Sequence, residues 1–231
     1  MSAKTMAETL VKALQQPDGD TRRRPVHTNG IGVCGQFTAS DAAARYCTAQ
    51  HFSGAAVPVT GRFSNGSGCA VLHDGWSDVR GMAVRFDLPD GTATDLVAMT
   101  LPQFFASTPQ TFLDFARAGS PAPVQRMSVW AKLWPLIHLT PPPPDPYAGE
   151  RISPDASAMA YADANRSAQA AVFGAATIGA PVSYARASYY TVHTFIVSAP
   201  DGTRRPVRFC WQPVAGVLNT GSAQPPVESY L

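Results

Sequence analysis

The residues best placed to do chemistry in this 231-residue chain are Arg24 and His27, followed at once by Gly30, Gly32 and Gly35. An arginine three residues ahead of a histidine offers an anion anchor beside a group that titrates near neutrality. Closely spaced glycines let a backbone approach something flat and bulky. Gly30-Ile-Gly32-Val-Cys-Gly35 also spells the dinucleotide fingerprint GxGxxG. That motif must follow a buried strand, open a helix and meet an acidic residue about 20 positions on. Here TRRRPVHTN precedes it and 52–58 contains no acid, so the context argues against dinucleotide binding.

The remaining reactive residues are scattered. His51, His73 and His138 have no companion acid or cysteine at metal-ligand spacing, and they read as surface or satisfied core histidines. Cys34, Cys47, Cys69 and Cys210 show no CxxC spacing, which argues against a zinc site or a disulfide framework and suits a reducing compartment. Arg22-Arg23-Arg24 without interleaved aromatics reads as a solvated run, Trp130 and Trp134 as core packing, and the prolines at 141–144 as a stiff surface crossing. Eighteen basic against sixteen acidic residues give no field for nucleic acid. No stretch reaches the ~20 apolar residues that span a bilayer. The first 16 residues lack the apolar segment of a secretory signal, so a cytoplasmic location is expected.

The elements that must position these groups follow from periodicity. Met6, Leu10, Val11 and Leu14 lie at helical spacing and predict a short amphipathic helix over 2–16. The glycine-rich segment that follows reads as extended chain with tight turns. Ser40-Asp41 predicts a helix start that runs to Phe52. Strands are expected over 55–64, 80–88 and 94–99, with Asp90-Gly91 as a hairpin turn. Thr108 before Pro109 predicts a capped helix with Gly119 just past its end, and a further helix is expected over 153–173. SYYTVHTFIVS, the turn PDG and PVRFCW predict a second hairpin. The class is α+β with antiparallel strands.

With those elements in place the pattern becomes specific. Arg24-Pro-Val-His27-Thr-Asn-Gly30-Ile-Gly32-Val-Cys-Gly35-Gln-Phe37 resembles the R-x-x-H-x-x-G-x-G-x-x-G-x-F segment of haem catalases. Pro58 to Ser64 resembles the P-x-x-x-R-F-S strand of that family, and Asp78 to Phe86 its D-x-R-G-x-A-x-K/R-F segment. Asp95 to Phe105 resembles D-L-V-x-x-N-x-P-x-F-F except at Thr100, and His193 to Trp211 resembles the second catalase hairpin. The small catalase-related peroxidases are the nearest branch.

The resemblance implies an antiparallel catalase-type β-barrel core, incomplete here, with flanking helices. It implies an N-terminal arm over 1–20, a haem-binding core over 21–213 and a tail over 214–231. It implies haem (heme b) as cofactor. His27 would be the distal acid/base and Thr100 would stand in for the distal asparagine. Arg24, Val26, Arg62 and Gly81 would contact the macrocycle, Phe105 and Phe112 would line the distal pocket, and His193 would lie on the proximal side. Since a hydroxyl lacks the two donors of an amide, Thr100 implies peroxidase activity above oxygen evolution. The implied partners are peroxide and a small organic electron donor, with room for a homodimer.

The family's iron ligand is a tyrosinate in R-x-x-x-Y on a late helix. Tyr230 has Pro226 four residues earlier in place of the arginine, so no residue inherits that role and His193 is the first candidate for the iron. A remnant that binds haem without turnover is the alternative. Rearrangement of fatty-acid hydroperoxides ranks below both, because those enzymes carry Thr where Val26 stands.

Overall fold

The computed structural model describes residues 3–14, 22–68, 74–75, 77–119 and 158–220. His73, His138, Cys69, Trp130, Trp134, the proline run, Tyr230 and the first part of the helix expected from 153 lie outside them. The helices are α1 (Ala3–Leu14), α2 (Pro109–Gly119), α3 (Ala158–Ala164) and α4 (Arg166–Thr177). The strands are β1 (Gly30–Phe37), β2 (Val57–Asn65), β3 (Arg80–Asp87), β4 (Ala93–Met99), β5 (Tyr189–Tyr190), β6 (Phe195–Ser198), β7 (Arg204–Val207) and β8 (Cys210–Trp211). They form two compact units. One holds α1, α2, α3 and α4 as far as Val172, and the other holds all the strands and the last turn of α4.

In the helical unit, α2 starts as its sequence dictates. The Thr108 hydroxyl accepts the Thr111 N–H at 3.2 Å, and Pro109 occupies the first helical position, where a missing N–H costs nothing. Phe105 stacks on both Phe112 and Phe115, with ring centroids 5.4 Å and 3.8 Å away. Ala162, Ala168 and Val172 complete this small core. The helix expected up to 173 is broken at Asn165, whose side chain donates back to the Tyr161 carbonyl at 2.9 Å.

In the sheet unit, six strands run in the order β1-β2-β3-β4-β5-β8, and β6 pairs only with β7. Among the described residues these strands pair antiparallel throughout. Among the described residues the sheet does not close into a barrel. The β3–β4 hairpin turns where Asp90-Gly91 placed it, with Gly91 at φ +81° and the Asp90 carboxylate accepting the Thr92 N–H. The second hairpin is more fragmented than its alternation implied. Only β6 and β7 pair around Asp201-Gly202, while Thr191 bends the chain so that Tyr189 pairs with Trp211. The helix expected from Ser40 is two short 3-10 turns, Ala43–Arg45 and Gln50–Phe52. Between them Ala49 is extended, and the Thr48 N–H is bonded to the Ser198 carbonyl instead of its own turn.

One face of β2 and β3 presents Val57, Val84 and Phe86 to the main apolar core. His51 packs into it, with ring centroids 4.4 Å from Phe52 and 4.7 Å from Phe86. It is a half-buried histidine against the core, and not a satisfied one, because its Nδ1 is buried there without a hydrogen-bond partner. Burial pushes its pKa below the ordinary imidazole value. The unfolded chain therefore binds the proton more readily, and stability is expected to fall as pH drops through about 6.5 and to level off below the folded value. Urea midpoints measured between pH 7.5 and 5 test this. The slope should be shallower in His51→Phe, and an unchanged slope would rule the residue out as its source.

Candidate active site

The opposite face of the same strands carries the candidate site. Two cross-strand rows lie side by side there: Gly30, Ser64, Gly81 and Met99, then Gly32, Arg62, Ala83 and Val97. His27, just before β1, lays its imidazole over the first row. Its Nδ1 is 3.0 Å from the Ser64 hydroxyl. A Cβ on Gly81 would come within 2.8 Å of the His27 ring and 2.9 Å of the Ser64 hydroxyl, so only glycine leaves room for the imidazole. Gly30 is fixed for a second reason, because a Cβ there would overlap the Phe63 carbonyl.

The histidine's backbone is itself unusual. At φ +55° it is the non-glycine residue in the left-handed region among the described residues. That conformation costs on the order of 1–2 kcal/mol for an L-residue, and such outliers persist only where surrounding bonds over-determine them. Here the His27 N–H donates to the Gly66 carbonyl at 3.1 Å and the Thr28 N–H to Ser67 at 3.2 Å. The Asn65 N–H donates to Asn29 at 3.0 Å.

Charge surrounds the ring. Burial lowers the His27 pKa most, and Arg62 and Arg24 add to that, while the Asp78 carboxylate and a hydrogen bond from the ring to the Asn65 backbone carbonyl oppose it. The imidazole is thus held neutral near pH 7, the state in which it can accept a proton. Arg62 donates to the Thr28 carbonyl at 3.1 Å. Burial and the neighbouring Arg24 charge push its guanidinium below the ordinary value. Two cations this close would be relieved by an anion.

Of the residues expected in the site, His27, Arg24, Arg62 and Gly81 come together on this face. Val26, next to His27, is 40% exposed. Thr100 is buried at the end of β4, where its hydroxyl accepts the Arg80 N–H at 3.0 Å. It lines a cleft of about 180 Å³ with Asp78, Arg80 and Tyr190. His193 is exposed on the β5–β6 connection, and Phe105 and Phe112 belong to the aromatic stack of the helical unit.

Ser64 and Asp78 were not singled out from sequence as site residues. Both stand at fixed places of the P-x-x-x-R-F-S and D-x-R-G segments, so the signal was present. Replacing Ser64 by alanine frees Nδ1 and lets the ring swing, at a cost of about 1 kcal/mol in stability. We expect turnover to fall about tenfold with little change in KM, as measured by steady-state kinetics. Unaltered kinetics would show that Ser64 does not orient the ring.

Comparison with known proteins identifies the family. The family model described as Catalase matches residues 12–144. A catalase-related peroxidase of Mycolicibacterium paratuberculosis is 34% identical over 192 residues, covering 83% of this chain and 52% of that protein. A catalase-related peroxidase of Synechococcus elongatus is 28% identical over 194 residues, 84% of this chain and 50% of its own. Catalase-2 of Bacillus subtilis is 29% identical over 200 residues, covering 84% of this chain and 26% of that protein. The chain therefore spans about half the length, or less, of these relatives. With a family match over more than half its residues and the histidine, serine and glycines in register on one sheet face, this chain belongs to the catalase family.

Proposed function

We propose that the chain carries the distal half of a haem-dependent peroxidase that uses hydrogen peroxide or organic hydroperoxides to oxidise small organic donors. The observation that carries this reading is the half-buried His27, its Nδ1 tied to Ser64 and its ring seated over Gly81.

The sheet face suits a flat, amphiphilic dianion such as haem. A Cβ on Gly32 would come no nearer than 4.0 Å to any neighbour outside its adjoining residues, so internal packing does not demand that glycine. Ala83 and the 64%-exposed Val97 continue its row as a low apolar platform, with Arg62 standing between Gly32 and Ala83 and its guanidinium bonded to the Thr28 carbonyl. Arg24 and Arg62 would pair with carboxylates at the edge of that platform. His193 is the first residue to test as proximal ligand, on the strength of its place in the family's hairpin alone. A His193→Ala chain that takes up haem with an unchanged spectrum would dispose of it.

When bound, haem supplies the two-electron reduction of the peroxide bond. The chain's part is to move a proton. His27 Nε2 accepts it from the inner peroxide oxygen and returns it to the departing one, so that the leaving group is water or an alcohol, not a charged oxide. Thr100 does not share this face, its hydroxyl accepting the Arg80 N–H; the β4 residue in the His27 row is Met99, which has no donor. A second peroxide would be oriented less well there than by an asparagine, which favours donor oxidation over oxygen release. Cys34, Cys47 and Cys210 are free thiols, in keeping with the reducing, cytoplasmic setting that is part of this proposal. No helix among the described residues is long and apolar enough to cross a membrane.

Hemin titration followed by absorption, with peroxide-dependent oxidation of a phenolic donor, tests the proposal. A Soret band with donor turnover is expected, and material that stays colourless overturns it.

A further inference from the structure

The left-handed backbone of His27 needs a cause, and its hydrogen bonds lead to the turn at 66–68. The Gly66 carbonyl receives the His27 N–H, and the Ser67 carbonyl receives the Thr28 N–H. The Thr28 hydroxyl lies 3.0 Å from the Gly68 carbonyl. That turn is in turn seated on the segment before β3. The Gly66 N–H donates to the Val79 carbonyl at 2.6 Å, and the Ser67 N–H donates to the Asp78 carboxylate at 2.9 Å. A Cβ on Gly66 would sit 2.8 Å from the Val79 carbonyl and 3.0 Å from the Asp78 carboxylate, so backbone and carboxylate are in direct contact. Asp78 is itself anchored, with Arg80 Nη1 4.0 Å away and a side chain only 19% exposed.

We propose that Asp78 is the positioning residue for His27: its carboxylate, acting through the Ser67 amide, fixes the turn whose carbonyls hold the histidine in its left-handed conformation. Its negative charge also acts on the imidazole, against the charges of Arg24 and Arg62. The functional meaning of the clamp rests on His27 being the acid/base group, but the clamp itself does not, and it can be examined without haem.

The test is residue-resolved amide hydrogen exchange on the full chain, comparing wild type with Asp78→Ala and Asp78→Asn. In Asp78→Ala the Ser67, His27 and Thr28 amides should exchange roughly 10-fold or more faster, while the β2–β3 amides keep their protection. In Asp78→Asn, whose amide oxygen can accept the same bond, protection should stay near wild type. Wild-type rates for His27 and Thr28 in Asp78→Ala overturn the proposal, and so does an Asn variant as loose as the Ala one.

Should Asp78→Ala fail to fold, acid titration of the wild type takes its place. The Ser67 and His27 amide proton shifts should move together as the Asp78 carboxyl protonates, and a His27 amide that does not follow overturns the clamp. Loosened exchange in Asp78→Ala together with full turnover in His27→Ala would support the clamp while overturning the role given to His27.

Discussion

Replacing His27 by alanine is expected to lower peroxide-dependent donor oxidation by about 10²–10⁴-fold, the span that general acid–base help is worth. The size follows from the neighbours. The ring has a hydrogen-bonded nitrogen held by Ser64, a glycine floor at Gly81 and a pKa lowered by burial against the pull of the Asp78 charge. A solvent molecule in the vacated space could hydrogen-bond a peroxide oxygen, yet it would be far too weakly basic to take the proton near pH 7. Haem uptake should survive, because Arg24, Arg62 and the Gly32–Ala83–Val97 platform are untouched. Hemin binding followed by absorption, with kcat/KM from donor oxidation, separates the two quantities. Retained turnover in a variant that binds haem normally would show that another group moves the proton. His27→Gln is the useful companion. It restores a hydrogen-bonding side chain without a titratable nitrogen, so its turnover should stay low as well.

Arg80→Met should destabilise the sheet unit by about 3–5 kcal/mol, the loss typical when one partner of a buried ion pair is removed. Arg80 is 1% exposed. Its guanidinium donates to the Asp74 and Asp78 carbonyls, and its Nη1 lies 4.0 Å from the Asp78 carboxylate. Methionine reproduces the side chain only as far as Arg80 Nε, so it leaves those acceptors without their cation. Burial already raises the Asp78 pKa, with the Arg80 charge among the influences holding it down. Losing that charge should raise it further. Against the roughly 5–15 kcal/mol that a folded domain possesses, such a loss is severe. The urea midpoint should fall by about 1–2 M. A shift worth less than about 1 kcal/mol would mean that water reaches Asp78 and replaces the guanidinium.

The two effects are linked through the chain. Asn65, buried at the end of β2, donates to the Asp74 carboxylate at 2.6 Å and accepts from the Tyr184 hydroxyl at 3.0 Å. Its own N–H holds Asn29, two residues past the histidine. Thus the polar network under Arg80 and the loop that bears His27 share a residue. Burial pushes the Tyr184 and Tyr189 pKa values up, so both phenols stay neutral donors within it.

How much of this was legible depended on the range of the interaction. Alternation predicted β2, β3 and β4 within a residue or two, because each strand's apolar face is set by its own residues. Thr108-Pro109 and Asp90-Gly91 are local signals and fall where they should. The stretch after Ser40 misled for a comparable reason. Its alanines favour helix, but the Thr48 N–H is claimed by Ser198, 150 residues away, and no local preference contains that bond. Gly81 shows the same limit at the site. It was expected beside a macrocycle, and what the structure puts against it is the His27 imidazole and the Ser64 hydroxyl.

By themselves the amino acids determined the chemical kit: a histidine after an arginine, a run of glycines, and ordered segments that resemble one enzyme family. Those are properties of residue type and order, which survive in any arrangement of the chain. The handedness of the His27 backbone, its partner Ser64 and the support from Asp78 were decided by folding alone. Each depends on strands 30 to 50 residues apart meeting in one register, and a one-residue slip would send Ser64 to the other face of the sheet.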